Sequence, residues 1–462
     1  MRAAAAGKSP GGPLSRPYLE ITLAVLALVT IVAFESMAVS TAMPAVAREL
    51  QAVRSYGFAF SVMLTAQLLG IVLAGVWTDR SGPLPGAFAG QVLVGLGAAT
   101  CGLSSRLDVF LAGRALTGLG GGLLVVMLYV IAGRVYPEAV RPRLFTYISA
   151  AWVLPALAGP PVAAWVTDHL SWRWVFLGVV APVVATMGAL WRAQSRVDTT
   201  HLREAVSNRD HRTHVRTAWA GLAVAAAAGA IQYGTHELSL EWSPKTVVAV
   251  LGLAGVAAVA PVLLPRATWV MGHGLPSVVL ARALLCAAFY GGITYVPLFL
   301  VDQRGATLKM AGLTLAVGAV GWAAGAWYQG HDALHLPRYR LIELGGVLLA
   351  AGLGWLSLVA WVDLPAWLTV VAMVLAGLAM GTGVTTTTIV ALELSPVHEH
   401  GETSSSLQLA DVLGSVLGIA GATAAFAAGH DPGRDNPLFG AIFLGLAAVA
   451  AVVVPAGQRI RT

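Results

Sequence analysis

The chain has 462 residues, of which 57% are hydrophobic and only 11% are charged. Soluble domains carry about 25% charged residues, so the composition excludes an ordinary soluble protein and predicts an integral membrane protein. The net charge of +6 does not indicate nucleic-acid binding, because the basic residues lie in short segments between apolar runs.

A membrane-spanning helix needs ~20 apolar residues, and fourteen runs in this chain are candidates. Residues 1–20 are small, basic and rich in Pro and Gly, and we expect a cytoplasmic tail there without a removable signal peptide. Residues 21–191 predict an N-terminal six-helix bundle, with spans at 21–45, 56–77, 84–104, 109–133, 143–167 and 173–191.

The second part of the chain repeats this pattern after an interruption. A polar cytoplasmic linker is predicted at 192–216, and two shorter runs, 217–234 and 244–264, predict an inserted transmembrane hairpin over 217–264. A C-terminal six-helix bundle is predicted over 276–456, with spans at 276–300, 309–329, 339–361, 366–392, 403–428 and 437–456. The run 217–234 is the least apolar of the fourteen, because it consists largely of alanine.

The distribution of Lys and Arg predicts the orientation. With the N terminus inside, 18 of the 28 basic residues lie on the cytoplasmic side, eight lie outside, and Arg114 and Arg282 lie within spans. This bias predicts a multi-pass protein of the cell membrane with both termini in the cytoplasm. An alternative with twelve spans, in which 217–264 forms a re-entrant or peripheral hairpin, has the same orientation.

The arrangement of six, two and six helices is typical of a transporter built from repeats, with its substrate site between the halves. Glycine pairs at four-residue spacing inside spans favour close helix contacts; they are Gly321 and Gly325, Gly377 and Gly381, and Gly414 and Gly418. The two cysteines lie in apolar runs, so we expect no disulfide framework, and no spacing indicates a metal, a cofactor or an enzyme.

The stretch GVWTDRSG at the end of the second span places two adjacent charges at a membrane surface. We predict that Asp79 and Arg80 lie in a cytoplasmic loop of about six residues, where Asp79 faces a helix N-terminus and Arg80 pairs with an acid such as Glu138. Gly75 would allow close helix contact and Gly82 a tight turn. This cluster forms either a latch that closes the cytoplasmic side or an ordinary solvated charge pair.

The pattern Gly75-x-x-x-Asp79-Arg80-x-Gly82 resembles the loop signature of the major facilitator superfamily, although Pro83-Leu84-Pro85 replaces its usual basic residues. Other motifs follow in the span order of that family. The stretch RALTGLG, Arg114 to Gly120, is similar to the family's helix-4 motif. Gly159-Pro160 resembles a degenerate form of the antiporter motif in helix 5. The run ESMAVSTAMP, 35–44, resembles helix 1 of the fourteen-span drug:proton antiporters. The resemblance implies an all-α fold of two six-helix bundles plus the hairpin.

Charges inside a membrane cost ~2.5–3.5 kcal/mol each on insertion scales and indicate function. Glu35 is either a carrier of protons and substrate or a structural partner of Arg114, which the resemblance identifies as a coupling residue. Asp411 is a third proton-coupling candidate or a water-facing polar residue. The candidates for an adaptable apolar pocket beside Glu35 are Phe34, Met37, Met63, Trp152 and Tyr290.

These features predict a monomeric, proton-coupled exporter of lipophilic small molecules, including cations, that works by alternating access. A dedicated exporter of one metabolite, lipid-like molecule or antibiotic is the alternative within the same class. An importer of the same fold is a further alternative, and a membrane receptor or scaffold without transport represents another class.

Overall fold

The computed structural model describes residues 12–16, 18–137, 140–194, 211–235, 244–329, 336–396, 399–431 and 434–460. Within these ranges the chain is helical and contains no strand. The first eight helices are α1 (Leu19–Glu49), α2 (Tyr56–Ser81), α3 (Pro83–Leu103), α4 (Leu107–Val135), α5 (Arg141–His169), α6 (Arg173–Gln194), α7 (His211–Thr235) and α8 (Pro244–Leu263). The remaining helices are α9 (Leu275–Leu298), α10 (Leu308–Gln329), α11 (Arg338–Trp361), α12 (Thr369–Glu393), α13 (His400–Gly429), α14 (Asn436–Ala451) and the short α15 (Val453–Gln458).

Thirteen helical segments in the described ranges are long and apolar enough to cross a membrane, and they include α8 but not α7. This agrees with the weak apolar character expected of the alanine-rich run. The helix α7 nevertheless packs against α8, α2 and α13, and its Val224 and Ala228 are fully buried. Small alanine side chains allow this close packing, so contacts with other helices compensate for the low hydropathy of α7.

The helices form two bundles. In the first, α1 packs on α5 and α6, α4 packs on α2 and α3, and α3 also contacts α6. In the second, α12 packs on α10 and α11, α9 packs on α13, and α14 packs on α11. The bundles meet where α2 contacts α13 and where α5 contacts α10, and the hairpin α7–α8 lies against the first of these two seams.

Contacts between helix ends define two sides of the molecule. The hydroxyl groups of Thr22, at the start of α1, and Tyr136, at the end of α4, lie 2.8 Å apart. We call this side, where α1 begins, the terminal side. On the opposite or far side, the indole of Trp172, before α6, donates to Glu49 at the end of α1 at 2.6 Å.

Glycine allows the closest helix crossings in the second bundle. A Cβ atom at Gly377 would lie 2.0 Å from the backbone oxygen of Gly318, and one at Gly381 would lie 2.1 Å from that of Trp322. A Cβ at Gly418 would lie 2.0 Å from the backbone oxygen of Ala287. These distances are too short for any side chain, so the pairs predicted from spacing lie at backbone-to-backbone contacts.

The connection between α2 and α3 is shorter than predicted. The expected loop of about six residues is reduced to Gly82, whose φ of 74° permits the turn, and Pro83 begins α3 directly. Asp79 and Arg80 therefore lie in the last turn of α2, but their side chains, and Glu138 altogether, lie outside the described residues. The expected close contact at Gly75 is not seen among the described residues, where a Cβ would meet no atom within 4 Å.

Candidate transport site

An acid–base pair lies inside the first bundle. The guanidinium of Arg114 on α4 donates from Nη1 to the carboxylate of Glu35 on α1, and both side chains are only 2% exposed. Arg114 also donates from Nε to the backbone oxygen of Ala59 at 3.3 Å and from Nη2 to the sulfur of Met63 at 2.8 Å. The two charges are thus compensated inside the bundle without exposure to solvent.

A second acid–base pair lies in the second bundle. Arg282 on α9 holds the carboxylate of Asp411 on α13 with two bonds, Nε to Oδ1 at 2.5 Å and Nη2 to Oδ2 at 2.7 Å. The remaining nitrogen, Nη1, donates to Thr388 Oγ1 at 2.5 Å and to the backbone oxygen of Val384 at 3.0 Å, both on α12. Arg282 therefore links three helices of its half.

The second pair differs from the first in exposure. Asp411 keeps 30% of its side-chain surface exposed and Arg282 11%. The thiol of Cys286, one turn along α9, donates to Asp411 Oδ1 at 3.2 Å. Tyr129 of α4, which belongs to the first bundle and is 45% exposed, lies within electrostatic range of Arg282. This pair is therefore less buried than the first, and it lies near Tyr129 of the first half.

The predicted apolar residues are distributed between the two pairs. Met63 is 7% exposed and contacts Arg114, and Phe34 is half-buried beside Gly159, whose Cβ would lie 3.6 Å from the Phe34 ring. Tyr290 is half-buried one turn beyond Cys286, with its ring centroid 5.2 Å from that of Phe289. Met37 on α1 and Trp152 on α5 are half-buried within the first bundle.

Among the described residues, several contacts join the two halves on the far side. Arg48 at the end of α1 forms an ion pair with Asp302 after α9, and the Tyr56 and Tyr295 ring centroids lie 5.6 Å apart. The predicted helix-5 motif lies in the other seam, where a Cβ at Gly312 of α10 would be 2.7 Å from the backbone oxygen of Pro160. The two halves are thus packed together on the side opposite the start of α1.

Arg282 is the site residue that the sequence interpretation did not include. It was visible as one of only two basic residues inside predicted spans, but nothing in the sequence paired it with Asp411, 129 positions away. Among the described residues no group of three or more His, Cys, Asp or Glu side chains is arranged to hold a metal ion.

Comparison with known proteins identifies the family. The sequence profile of the Major Facilitator Superfamily matches residues 25–419. The chain belongs to this superfamily. It is therefore a multi-pass membrane protein of a transporter family, and the two bundles are the halves of a major facilitator fold.

Curated relatives within the superfamily are distant. An uncharacterized MFS-type transporter of Mycobacterium tuberculosis is 26% identical over 96% of this chain, and the chain spans only 64% of that relative's length. Multidrug resistance protein 3 of Bacillus subtilis is 21% identical over 78% of this chain and 70% of its own length.

Solved structures share the fold at still lower identity. A POT family transporter in complex with 5-aminolevulinic acid matches with a TM-score of 0.72 and 14% identity, covering 96% of both chains. A D-xylose-proton symporter matches with a TM-score of 0.61 and 15% identity, covering 95% of this chain and 98% of its own. At these identities the similarity establishes the major facilitator architecture alone.

Proposed function

We propose that this chain is a proton-coupled exporter that moves lipophilic, cationic small molecules across the cell membrane by alternating access. The observation that carries the proposal is the partly exposed pair Arg282–Asp411 between the halves. Ionisable residues in a membrane are retained for function, and a carboxylate reachable from solvent is able to exchange a proton for a cargo molecule.

The bonds of Arg282 suggest how proton and cargo compete. When Asp411 is ionised, the pair is neutral and a cationic cargo molecule is tolerated beside it. When Asp411 takes up a proton, Arg282 keeps its bonds to Thr388 and Val384, so its positive charge stays in place without compensation. That charge repels a cation, so proton uptake favours cargo release, which is the direction of coupling that an antiporter requires.

The packing of the far side supports one state of an alternating cycle. With the halves joined there by Arg48–Asp302 and by the Tyr56–Tyr295 contact, a transport path to the far side requires these contacts to open. The proton motive force is sufficient to drive such a cycle, because one charge crossing 100 mV gains ~2.3 kcal/mol. Under the predicted orientation, the far side is the outside of the cell.

The sequence interpretation ranks Glu35 first as proton carrier, with Arg114 as its coupling partner, whereas the exposure of Asp411 makes Asp411 the carrier that this proposal favours. The two carboxylates are distinguished by proton release from detergent-solubilised protein when tetraphenylphosphonium is added. In variants that elute from gel filtration as folded protein, loss of release in Glu35→Gln with retention in Asp411→Asn assigns the carrier to Glu35, and the reverse assigns it to Asp411. Asp108→Asn, which alters an exposed acid at the start of α4, is the matched control and should behave as wild type.

The transport proposal itself is tested in everted vesicles. Addition of tetraphenylphosphonium should dissipate an imposed pH gradient with wild-type protein, and a neutral compound of similar size should do so less. If no tested lipophilic cation changes the gradient or releases protons from wild-type protein, the proposal fails. The alternatives are then a dedicated exporter of one metabolite or a non-transporting receptor.

A further inference from the structure

A long apolar groove lies on the second bundle, and no residue of either acid–base pair lines it. It has a volume of about 470 Å³ and is bounded by α9, α13, α14 and the segment after α8. Its lining runs along α13 from Ala410 to Ala425, which is about 22 Å at 1.5 Å per residue. This exceeds the ~15 Å thickness of one leaflet of a ~30 Å hydrocarbon core.

The groove is hollow because glycines lie along it. A Cβ atom at Gly421 on α13 or at Gly445 on α14 would meet no described atom within 4 Å. Both residues are exposed and both line the groove. These two glycines therefore differ from Gly414 and Gly418, where a Cβ would clash with the backbone of α9, and helix packing does not account for them.

The end of the groove on the terminal side is aromatic and basic. Trp269, which lines the groove there, is 41% exposed, as expected of an indole at a membrane interface. Arg266 is exposed next to the lining residues Leu264 and Thr268. Arg459 is also exposed, and its backbone oxygen accepts a bond of 3.1 Å from Gly274, just before α9. Neither guanidinium has an ion-pair partner in the part of the chain that the structure describes.

We propose that this groove binds one phospholipid, with an acyl chain between α9, α13 and α14 and an anionic headgroup at Arg266 and Arg459. The almost wholly apolar lining can bury an acyl chain. The two guanidinium groups can pair with a phosphate-bearing headgroup of net negative charge. The predicted orientation makes this side cytoplasmic, where anionic lipids are enriched. A zwitterionic head would leave the two positive charges uncompensated.

The position of the groove connects the lipid to the charged pair. On α9, Ala283 lines the groove while the preceding residue, Arg282, holds Asp411. On α13, Ala410 lines the groove directly before Asp411. A bound acyl chain would thus contact the two helices that carry Arg282 and Asp411.

The test is lipid binding to the purified full-length protein, measured by native mass spectrometry. Dioleoyl phosphatidylglycerol should occupy its first site about tenfold more tightly than dioleoyl phosphatidylcholine, given two basic side chains at the membrane surface. Gly421→Leu with Gly445→Leu should abolish this first site. Gly178→Leu on α6, another exposed glycine with open space around its Cβ, is the control and should bind as wild type.

The headgroup part of the proposal is tested separately. Arg266→Gln with Arg459→Gln should bind both lipids equally, at about the wild-type affinity for phosphatidylcholine. Equal affinity of the wild type for both lipids, or unchanged phosphatidylglycerol binding after the two Gly→Leu changes, would overturn the proposal. A dimer that is lost on filling the groove would identify a second copy as the occupant instead. All variants must elute as a single species in gel filtration.

Discussion

Removing one charge of the buried pair in the first bundle should destabilise the protein far more than removing both. Glu35 and Arg114 are each 2% exposed, so neither charge has solvent to compensate it. Breaking such a pair leaves an isolated buried charge and costs ~3–5 kcal/mol. In Glu35→Gln, the Arg114 guanidinium would keep only uncharged acceptors, the Ala59 oxygen and the Met63 sulfur. We therefore expect this variant to lose ~3–5 kcal/mol of stability.

The double variant Glu35→Met with Arg114→Met removes both charges and keeps most of the side-chain volume. Replacement of a buried ion pair by apolar groups is often neutral or stabilising, so we expect stability within ~1 kcal/mol of wild type. The double variant should therefore be ~2–4 kcal/mol more stable than Glu35→Gln alone.

Unfolding in mixed micelles of a mild detergent and dodecyl sulfate, followed by circular dichroism, measures these differences. Asp108→Asn removes an exposed carboxylate that pairs with Arg106, and should leave the unfolding midpoint unchanged. If Glu35→Gln unfolds at the same dodecyl sulfate fraction as Asp108→Asn, the pair is not a buried ion pair in the folded protein. The assignment of opposite charges to Glu35 and Arg114 would then be refuted.

Three other predictions concern packing, topology and the α2–α3 connection. Gly377→Leu should lower the free energy of unfolding by at least ~3 kcal/mol or prevent folding, because its Cβ would lie 2.0 Å from a backbone oxygen. Gly354→Leu, which has open space at its Cβ, is the control and should unfold as wild type in the same assay. Ser239→Cys, between α7 and α8, should react with an impermeant thiol reagent in intact cells, and Gln458→Cys only after permeabilisation; the reverse pattern would invert the topology. Natural Cys101 and Cys286 are buried and should add little background. Asp79→Asn with Arg80→Ala should slow transport ~2–5-fold without loss of folded protein, and an unchanged rate would mean that the two charges are an ordinary surface pair.

The architecture was predictable because span length and hydropathy are properties of local sequence. Counting apolar residues along the chain predicts fourteen runs, their order and the inserted hairpin. The family match and the helical structure confirm the fold class. The end of α2 was predicted less well. Polar residues such as Asp79 and Arg80 are typical of loops, yet they continue a helix when nothing before Gly82 breaks it.

The site was predictable only in part, since hydropathy gives the depth of a residue but not the direction of its side chain. The pairing of Glu35 with Arg114 could be predicted, because they are the only acidic and the only basic residue deep within the predicted spans of the first half. Asp411 was recognised as an intramembrane acid, but its bond to Arg282 depends on the rotation of α9 and α13 about their axes. The support of Arg282 by Thr388 depends likewise on the position of α12.

The placement of the hairpin has a mechanical consequence. Along α2, α7 is fitted closely: a Cβ at Gly221 would lie 2.5 Å from the Val72 side chain, and one at Gly229 would lie 3.6 Å from Thr65. The hairpin also reaches the other half, where the Ser406 hydroxyl of α13 donates to the backbone oxygen of Leu263 at 3.2 Å.

Since α2 and α13 belong to different halves, a hairpin that touches both cannot follow both if the halves tilt as the proposed alternating-access cycle requires. The seam with α2 is the harder one to shear, because α7 packs on α2 more extensively than on α13. The two bodies that move are then unequal in size. The hairpin moves with α1–α6 as a body of eight helices against the six helices α9–α14, and α13 slides along the hairpin.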